Sequence, residues 1–376
     1  MKDFRSCRLR RRPPGLRTVI NRPACDEDFD PASLNSCVSW TPVTPGSLTC
    51  DLLQPGFALH PRFMSQSIAL LFSGQGAQQV GMGRDLSQRF AVAANRFAAA
   101  DSALGYAISQ IAFDGPLEEL TRTSCCQVAL YVHGLAVLEV LREELGNLPV
   151  TAAAGLSLGE FTAHAAAGTF DFLAGLQLVA NRGRYMEEAC EETLGTMAAF
   201  IGGDEQNVRK IAQEADVDVA NINSPGQIVL SGEVEKIRRA VDLAKTYAIR
   251  RAVPLNVAGA FHSRLMRSAE SKLRDDLAFV HLNQPAPKVI ANFTAEPVSG
   301  RTEILETLAK QVTGTVRWTE SVEYMIDKLG CDLFLELGPG AVLAGLVGRI
   351  RKGTEVISIT DNASVDAALK KLRTTL

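Results

Sequence analysis

The stretch Gly155-Leu156-Ser157-Leu158-Gly159-Glu160 constrains this chain more than any other. It follows an apolar, strand-like run from Val150 to Ala154 and leads into Phe161-Thr162-Ala163-His164-Ala165-Ala166-Ala167, which reads as a helix. Small residues on both sides of Ser157 allow a tight strand-to-helix turn, because glycine accepts backbone conformations that a side chain blocks. Such a turn lifts the serine hydroxyl clear of the backbone and sets the first free N–H groups of the helix beside it, the geometry a nucleophilic serine needs. Two glycines around a serine also make an ordinary turn, so the rest of the chain has to decide.

At 376 residues the chain has room for two domains, or for one large core with an insertion. A net charge of −3 gives no reason to expect nucleic acid. No uninterrupted apolar run has the length a bilayer needs. The eight cysteines include no C-x-x-C pair, which leaves zinc and redox motifs unsupported and points to free thiols in a reducing compartment.

Residues 1–63 hold eight of the sixteen prolines and an arginine cluster at Arg8, Arg10, Arg11 and Arg12, without helical or strand periodicity. They read as a disordered or non-native N-terminal extension. The arginines suit an organelle-targeting segment, but Asp26, Glu27, Asp28 and Asp30 do not. A natural start at Met64 is the preferred reading.

From there Ser67–Phe72 reads as a buried strand, ending in Ser73-Gly74-Gln75-Gly76-Ala77-Gln78. The glycine pair around Gln75 fits a loop that brings backbone close to a ligand, and equally an ordinary turn. Apolar spacing predicts helices over 127–145 and 172–189. Residues 195–260 follow a β-α-β-β-α-β order, that of a ferredoxin-like unit. Strands at 287–292 and 333–337 flank a helix carrying Trp318–Met325. The expected class is α/β, a mainly parallel sheet covered on both faces and interrupted by the inserted unit. The boundaries are 64–194 and 261–376 for the large subdomain and 195–260 for the small one.

A serine nucleophile needs a base within hydrogen-bond reach, and there are five histidines. His60 lies in the extension. His164 is seven residues past Ser157 on the same helix, roughly 10 Å further along its axis. His133 and His281 fall in amphipathic segments and suit structural roles. His262 lies in a loop of small residues, Val257 to Ser263, just after the last strand of the insertion, and is the candidate, although periodicity alone leaves a structural role open. No aspartate stands out as a third member, and a backbone carbonyl can hold the imidazole tautomer instead. Arg182, 25 residues after the serine, is either a surface arginine or a guanidinium turned into the cleft to grip a carboxylate at two points.

Six stretches, FSGQGAQ from Phe72, GLSLGE from Gly155, NRGRYM from Asn181, NINSPGQIVLSG from Asn221, GAFHSRLM from Gly259 and LELGPG from Leu335, occur in one order that resembles the malonyl-CoA:acyl carrier protein transacylases and the acyltransferase domains of polyketide and fatty-acid synthases. The likeness spans about residues 67 to 375. It implies an α/β-hydrolase-like large subdomain with an inserted ferredoxin-like small subdomain. It also implies Ser157 as the acylated nucleophile, His262 as its base, Arg182 as the grip on the malonyl carboxylate, and main-chain N–H groups of Gln75 and Leu158 as the oxyanion hole. Gln311 matches a glutamine whose main chain orients the histidine.

The implied reaction moves malonyl from malonyl-CoA to the phosphopantetheine thiol of acyl carrier protein in fatty-acid biosynthesis, or in a polyketide pathway. No cofactor resides in the enzyme. The expected partners are acyl carrier protein and malonyl-CoA, with no nucleic acid and no membrane, and the chain is expected to be a cytoplasmic monomer, or to lie in an organelle matrix if the extension is a targeting segment. Three positions depart from the family's habit: Leu156 stands where histidine is usual, and Ser73 and Val128 where proline is common. Phe261 resembles the malonyl-using members. The rivals are a serine acyl hydrolase or thioesterase, which needs a triad acid and no Arg182, and a non-catalytic carrier-docking module. An acidic carrier calls for a basic patch, with Arg349, Arg351, Lys352, Arg238 and Arg239 as candidates or else as solvated helix ends.

Overall fold

The computed structural model describes residues 67–146 and 148–375; the extension 1–63, His60 and the proposed start at Met64 lie outside the described residues. Nine strands run in chain order as β1 Ile68–Phe72, β2 Val150–Gly155, β3 Gly195–Ile201, β4 Asp218–Ser224, β5 Gln227–Glu233, β6 Arg251–Pro254, β7 Lys288–Val289, β8 Leu333–Leu337 and β9 Glu355–Ile359.

Five of them form a parallel sheet in the order β7-β2-β1-β8-β9. Its central strands β1 (IALLF) and β8 (LFLEL) are buried along their whole length, the signature of a parallel sheet covered on both faces. Alternation sorts their side chains. Ile68, Leu70 and Phe72 join one apolar cluster with the helices Thr123–Leu145 and Phe172–Glu192, while Ala69, Leu71 and Phe334 join another with Trp318, Val322 and Met325.

The Thr123–Leu145 helix is long and apolar enough, by length and composition, to cross a membrane, with a mean hydropathy of 1.5. The sequence reading found no such run because Gln127 and His133 interrupt it. The helix is a core element: 89% of its apolar window is buried inside the protein, and the His133 imidazole Nε2 is hydrogen-bonded to the Thr360 carbonyl at 3.1 Å.

The inserted unit is an antiparallel sheet in the order β4-β5-β3-β6. Helices Glu205–Ala215 and Val234–Leu243 cover one face, over Ala198, Phe200, Ile228 and Leu230. The alternate residues Met197, Ala199 and Val229 point the other way and join the apolar cluster of the large sheet. This order is the ferredoxin-like arrangement that the β-α-β-β-α-β pattern predicts. A second connection ties the small sheet to the segment before the Trp318–Asp327 helix: Ile222 N–H donates to the Val316 carbonyl (2.9 Å) and Val316 N–H to the Ala220 carbonyl (2.8 Å). The Thr315 hydroxyl adds a bond to the Val219 carbonyl at 2.7 Å.

Several expected boundaries differ, and the helix expected over 172–189 runs on to Glu192. The helix expected from residue 127 begins at Thr123. The strand expected over 287–292 shortens to Lys288–Val289, because the chain then turns to pair Ile290 with Pro297.

Candidate active site

The turn between β2 and the helix Leu158–Ala166 is built by close approach of backbone. A Cβ on Gly155 would stand 2.0 Å from the Gly159 carbonyl carbon, and one on Gly159 would stand 2.1 Å from the Phe72 carbonyl oxygen. Only glycine fits at both places. Ser157, between them, takes φ 54° and ψ −104°, a sparsely populated conformation for a residue with a side chain.

The Ser157 hydroxyl lies 2.8 Å from Nε2 of His262. Nδ1 of the same ring lies 2.8 Å from the Gln311 carbonyl oxygen. A carbonyl only accepts, so Nδ1 carries the proton and Nε2 is the bare acceptor facing the serine. Burial, and then the nearby Arg182 cation, push His262 down to about 4, which keeps the imidazole neutral at neutral pH. A main-chain carbonyl thus stands where a triad carboxylate is often found. Asp216 and Asp218 are instead ion-paired with Arg264, and Asp276 accepts from Asn181 and Tyr185.

Arg182 is 1% exposed and comes from the Phe172–Glu192 helix. Its Nη1 donates to Gln127 Oε1 (2.5 Å), and its Nη2 donates to Gln311 Oε1 (2.9 Å) and to the Ser157 hydroxyl (3.1 Å). The guanidinium carbon sits 5.3 Å from the centre of the Phe161 ring. Burial lowers Arg182 to about 10, with Glu160 opposing, so it remains a cation at neutral pH. Among the described residues its hydrogen-bond acceptors are all neutral, and its Nε has no partner. A buried cation held by neutral acceptors beside a nucleophile is a receptor for an anionic substrate group.

A cavity of ≈ 230 Å³ opens over the serine, lined by Gln75, Gln127, Leu156, Leu158 and His262 from the large subdomain and by Met197, Val229 and Leu255 from the small one. Leu158 is the first residue of the elbow helix, so its N–H has no carbonyl one turn earlier to bond. Gln75 faces the same cavity from the loop after β1. The N–H of Ser157 itself is taken, donating to Asn292 Oδ1 at 2.7 Å.

The structure therefore brings Ser157, His262, Gln75 and Leu158 to the wall of one cavity, with Arg182 and Gln311 buried outside its lining and hydrogen-bonded to Ser157 and, for Gln311, to His262. It adds three residues that sequence reasoning missed: Gln127, Glu160 and Asn292. Glu160 had a visible signal, a carboxylate in the first turn of a helix whose other residues, His164 apart, are apolar or small. Asn292, a polar residue closing an apolar strand-like run, had a weaker one. The remaining candidates are elsewhere. His164 pairs with Thr169 and His281 with Asn283. Arg351 is ion-paired with Asp327, Arg238 with Glu235 and Arg239 with Glu214, while Arg349 donates to Gln227. Most of the expected basic patch is neutralised by its neighbours. Of the departures, Leu156 lines the cavity, as does Phe261, whereas Val128 is core and the Ser73 hydroxyl is buried without a partner among the described residues.

The chain is similar to known proteins over most of its length. The chain is 37% identical over 311 residues to the malonyl CoA-acyl carrier protein transacylase of Bacillus subtilis, a match covering 81% of this chain and 97% of that one. It is 40% identical over 295 residues to the polyketide biosynthesis malonyl CoA-acyl carrier protein transacylase PksC of the same organism, covering 77% of this chain and 99% of that one. Among solved structures it is similar to a malonyl-transacylase in complex with a type II PKS acyl-carrier protein, with a TM-score of 0.78, 37% identity, and coverage of 81% of this chain and 99% of that one. Residues 69–367 match the acyl transferase domain, and the chain belongs to that family.

Proposed function

We propose that this protein transfers the malonyl group of malonyl-CoA to the phosphopantetheine thiol of an acyl carrier protein, through a malonyl ester on Ser157. The observation that carries this reading is the 3.1 Å separation of the Arg182 guanidinium from the Ser157 hydroxyl. A three-carbon acyl group whose thioester carbon meets the serine ends in a carboxylate that can reach the same cation.

In this reading His262 Nε2 takes the hydroxyl proton as Ser157 attacks the thioester carbon. The oxygen that becomes negative is met by the N–H groups of Leu158 and Gln75. Collapse of the intermediate breaks the carbon–sulfur bond, and the proton on His262 leaves with coenzyme A as its thiol. The carrier thiol then enters, gives its proton to His262, and takes the malonyl group by the reverse sequence. Arg182 supplies selectivity, because an acetyl group leaves the buried cation without an anionic partner. The reading places the reaction in fatty-acid biosynthesis in the cytoplasm. The similarity to PksC, named for polyketide biosynthesis, favours a polyketide carrier as the alternative.

The test is incubation with labelled malonyl-CoA and, in parallel, acetyl-CoA, followed by mass spectrometry of the Ser157 peptide and then addition of carrier protein. Malonyl on Ser157 that passes to the carrier is the expected result. Acyl-Ser157 that decays to free acid faster than the carrier takes it makes the protein a hydrolase, and no acylation at all leaves a docking role.

A further inference from the structure

Glu160 is fully buried, does not line the cavity, and has no part in the chemistry above. A buried carboxyl group costs free energy that an apolar residue at the same place would not, so its hydrogen bonds are informative. Its Oε2 accepts from the Asn292 main-chain N–H (2.9 Å) and from Gln311 Nε2 (2.7 Å), and its Oε1 has no partner among the described residues. Each partner leads to the reacting groups by a separate route. Asn292 spans the strained turn, with Oδ1 accepting from the Ser157 N–H (2.7 Å) and Nδ2 donating to the Gly155 carbonyl (2.8 Å). Gln311 donates from Nε2 to the Ser157 carbonyl (2.8 Å), accepts from Arg182 at Oε1 (2.9 Å), and holds His262 Nδ1 with its main-chain oxygen (2.8 Å).

The orientation of the Gln311 amide follows from its two neighbours. A flipped amide would turn its NH2 toward the Arg182 donors and its oxygen toward Glu160 Oε2, so both contacts would fail. Glu160 on one side and Arg182 on the other therefore leave one orientation. We propose that Glu160 is a positioning residue: by fixing the Gln311 amide and the Asn292 main chain through one oxygen, it holds the nucleophile, its base and the guanidinium in register. The inference rests on the serine–histidine chemistry of the preceding section and not on the identity of the acyl group.

The test reads Ser157 labelling by a fluorophosphonate, which reports the serine–histidine pair whatever acyl group it takes, alongside malonyl transfer. The variants are Glu160→Gln, Glu160→Ala, Gln311→Ala and the double variant Glu160→Ala with Gln311→Ala. The glutamine at 160 still offers one oxygen to both donors, so labelling stays within about 3-fold of the wild type, while Glu160→Ala slows it by about 30- to 100-fold, the scale of a misplaced catalytic group. The double variant labels no more slowly than the slower single variant, because both remove one path. Where Glu160→Ala does not fold, Glu160→Asp, which draws the carboxylate back by one methylene, shows the same loss. The proposal is overturned if the folded Glu160→Ala or Glu160→Asp protein labels at the wild-type rate, if Glu160→Gln falls as far as Glu160→Ala, or if the two losses multiply in the double variant. A wild-type protein that is labelled but takes no malonyl overturns the proposed function alone; one that resists labelling overturns both.

Discussion

Ser157 and His262, whose hydroxyl and Nε2 lie 2.8 Å apart, both hold a positive φ, of 54° and 56°. Two non-glycine residues in that region are costly, on the order of 1–3 kcal/mol each, and persist only where the surrounding structure fixes them. Here the cost falls on the two groups that exchange a proton. Replacing His262 with alanine is expected to slow acylation of Ser157 by about 10²- to 10⁴-fold, and Ser157→Ala to abolish the acyl-enzyme. Rapid-quench intact-mass measurement reads both, and a Ser157→Ala protein that still gains the malonyl mass would move the nucleophile elsewhere.

In the proposed mechanism the active base is the neutral imidazole. Burial and Arg182 hold His262 at about 4, so protonation removes activity only near that pH. The profile of kcat/KM for malonyl-CoA should be level from about pH 5 until Arg182 loses its proton near 10, with its acid limb near 4. A limb near the ordinary histidine value of 6.5 would show that the imidazole is not desolvated in solution.

Stability should respond to acid in a window set by three histidines. Burial lowers His133 and His262 to about 4 and His164 to about 3. The unfolded chain therefore binds more protons than the folded one below the ordinary value of 6.5, and stability present above 6.5 is lost as pH falls. Glu160, raised to about 7 by burial, and Glu336, raised for the same reason, act in the opposite sense, since their contribution is lost as pH rises. Three groups outweigh two. Urea unfolding at pH 7, 6 and 5 should give a falling midpoint, and a level or rising one would contradict the burial of these rings.

Arg182→Ala should lower kcat/KM for malonyl-CoA by about 10²- to 10³-fold and for acetyl-CoA much less, because a buried ionic contact to the malonyl carboxylate is lost. Competition between the two thioesters with mass-spectrometric readout of Ser157 measures the ratio. Equal losses for both would assign Arg182 to the serine alone, through its 3.1 Å contact with the hydroxyl.

Two glycines give a paired stability test. Gly159→Ala drives a Cβ to 2.1 Å from the Phe72 carbonyl oxygen, backbone against backbone, and is expected to cost about 3 kcal/mol or more. Gly345→Ala lies in the Val342–Ile350 helix with nothing within 4 Å of the new Cβ, and should stabilise by roughly 0.5–1 kcal/mol. Denaturant midpoints of the two variants should move in opposite directions.

Much of this was legible in the chain itself. The alternation of strands with helices announced a parallel sheet, and the βαββαβ order announced the second one, because each element is set by a local pattern. Ser157 was legible because a turn that tight needs glycines beside it, and His262 because few histidines competed. The arginine was left open, since nothing in the spacing of Asn181-Arg182-Gly183-Arg184 shows which of two guanidiniums is buried. Asn292 and Gln127 were missed because their roles are contacts across the fold, 135 residues from Ser157 in one case and 55 from Arg182 in the other. The short β7 was misjudged because its pairing is shared between the sheet and a tight return to Pro297.

The bonds from residues 315 and 316 to β4 bear on how the cavity is reached. A small sheet joined to the body only by its two chain crossings is free to gape like a jaw. Here a further row of hydrogen bonds, Val316 to Ala220 and Ile222 with Thr315 to Val219, fastens the sheet through β4 as well. The small-sheet wall of the cavity is thus held to the body through β4 as well, and whatever reaches Ser157 has to fit a space of ≈ 230 Å³. A long flexible arm carrying its acyl group at the tip meets that requirement, whereas a folded protein surface does not.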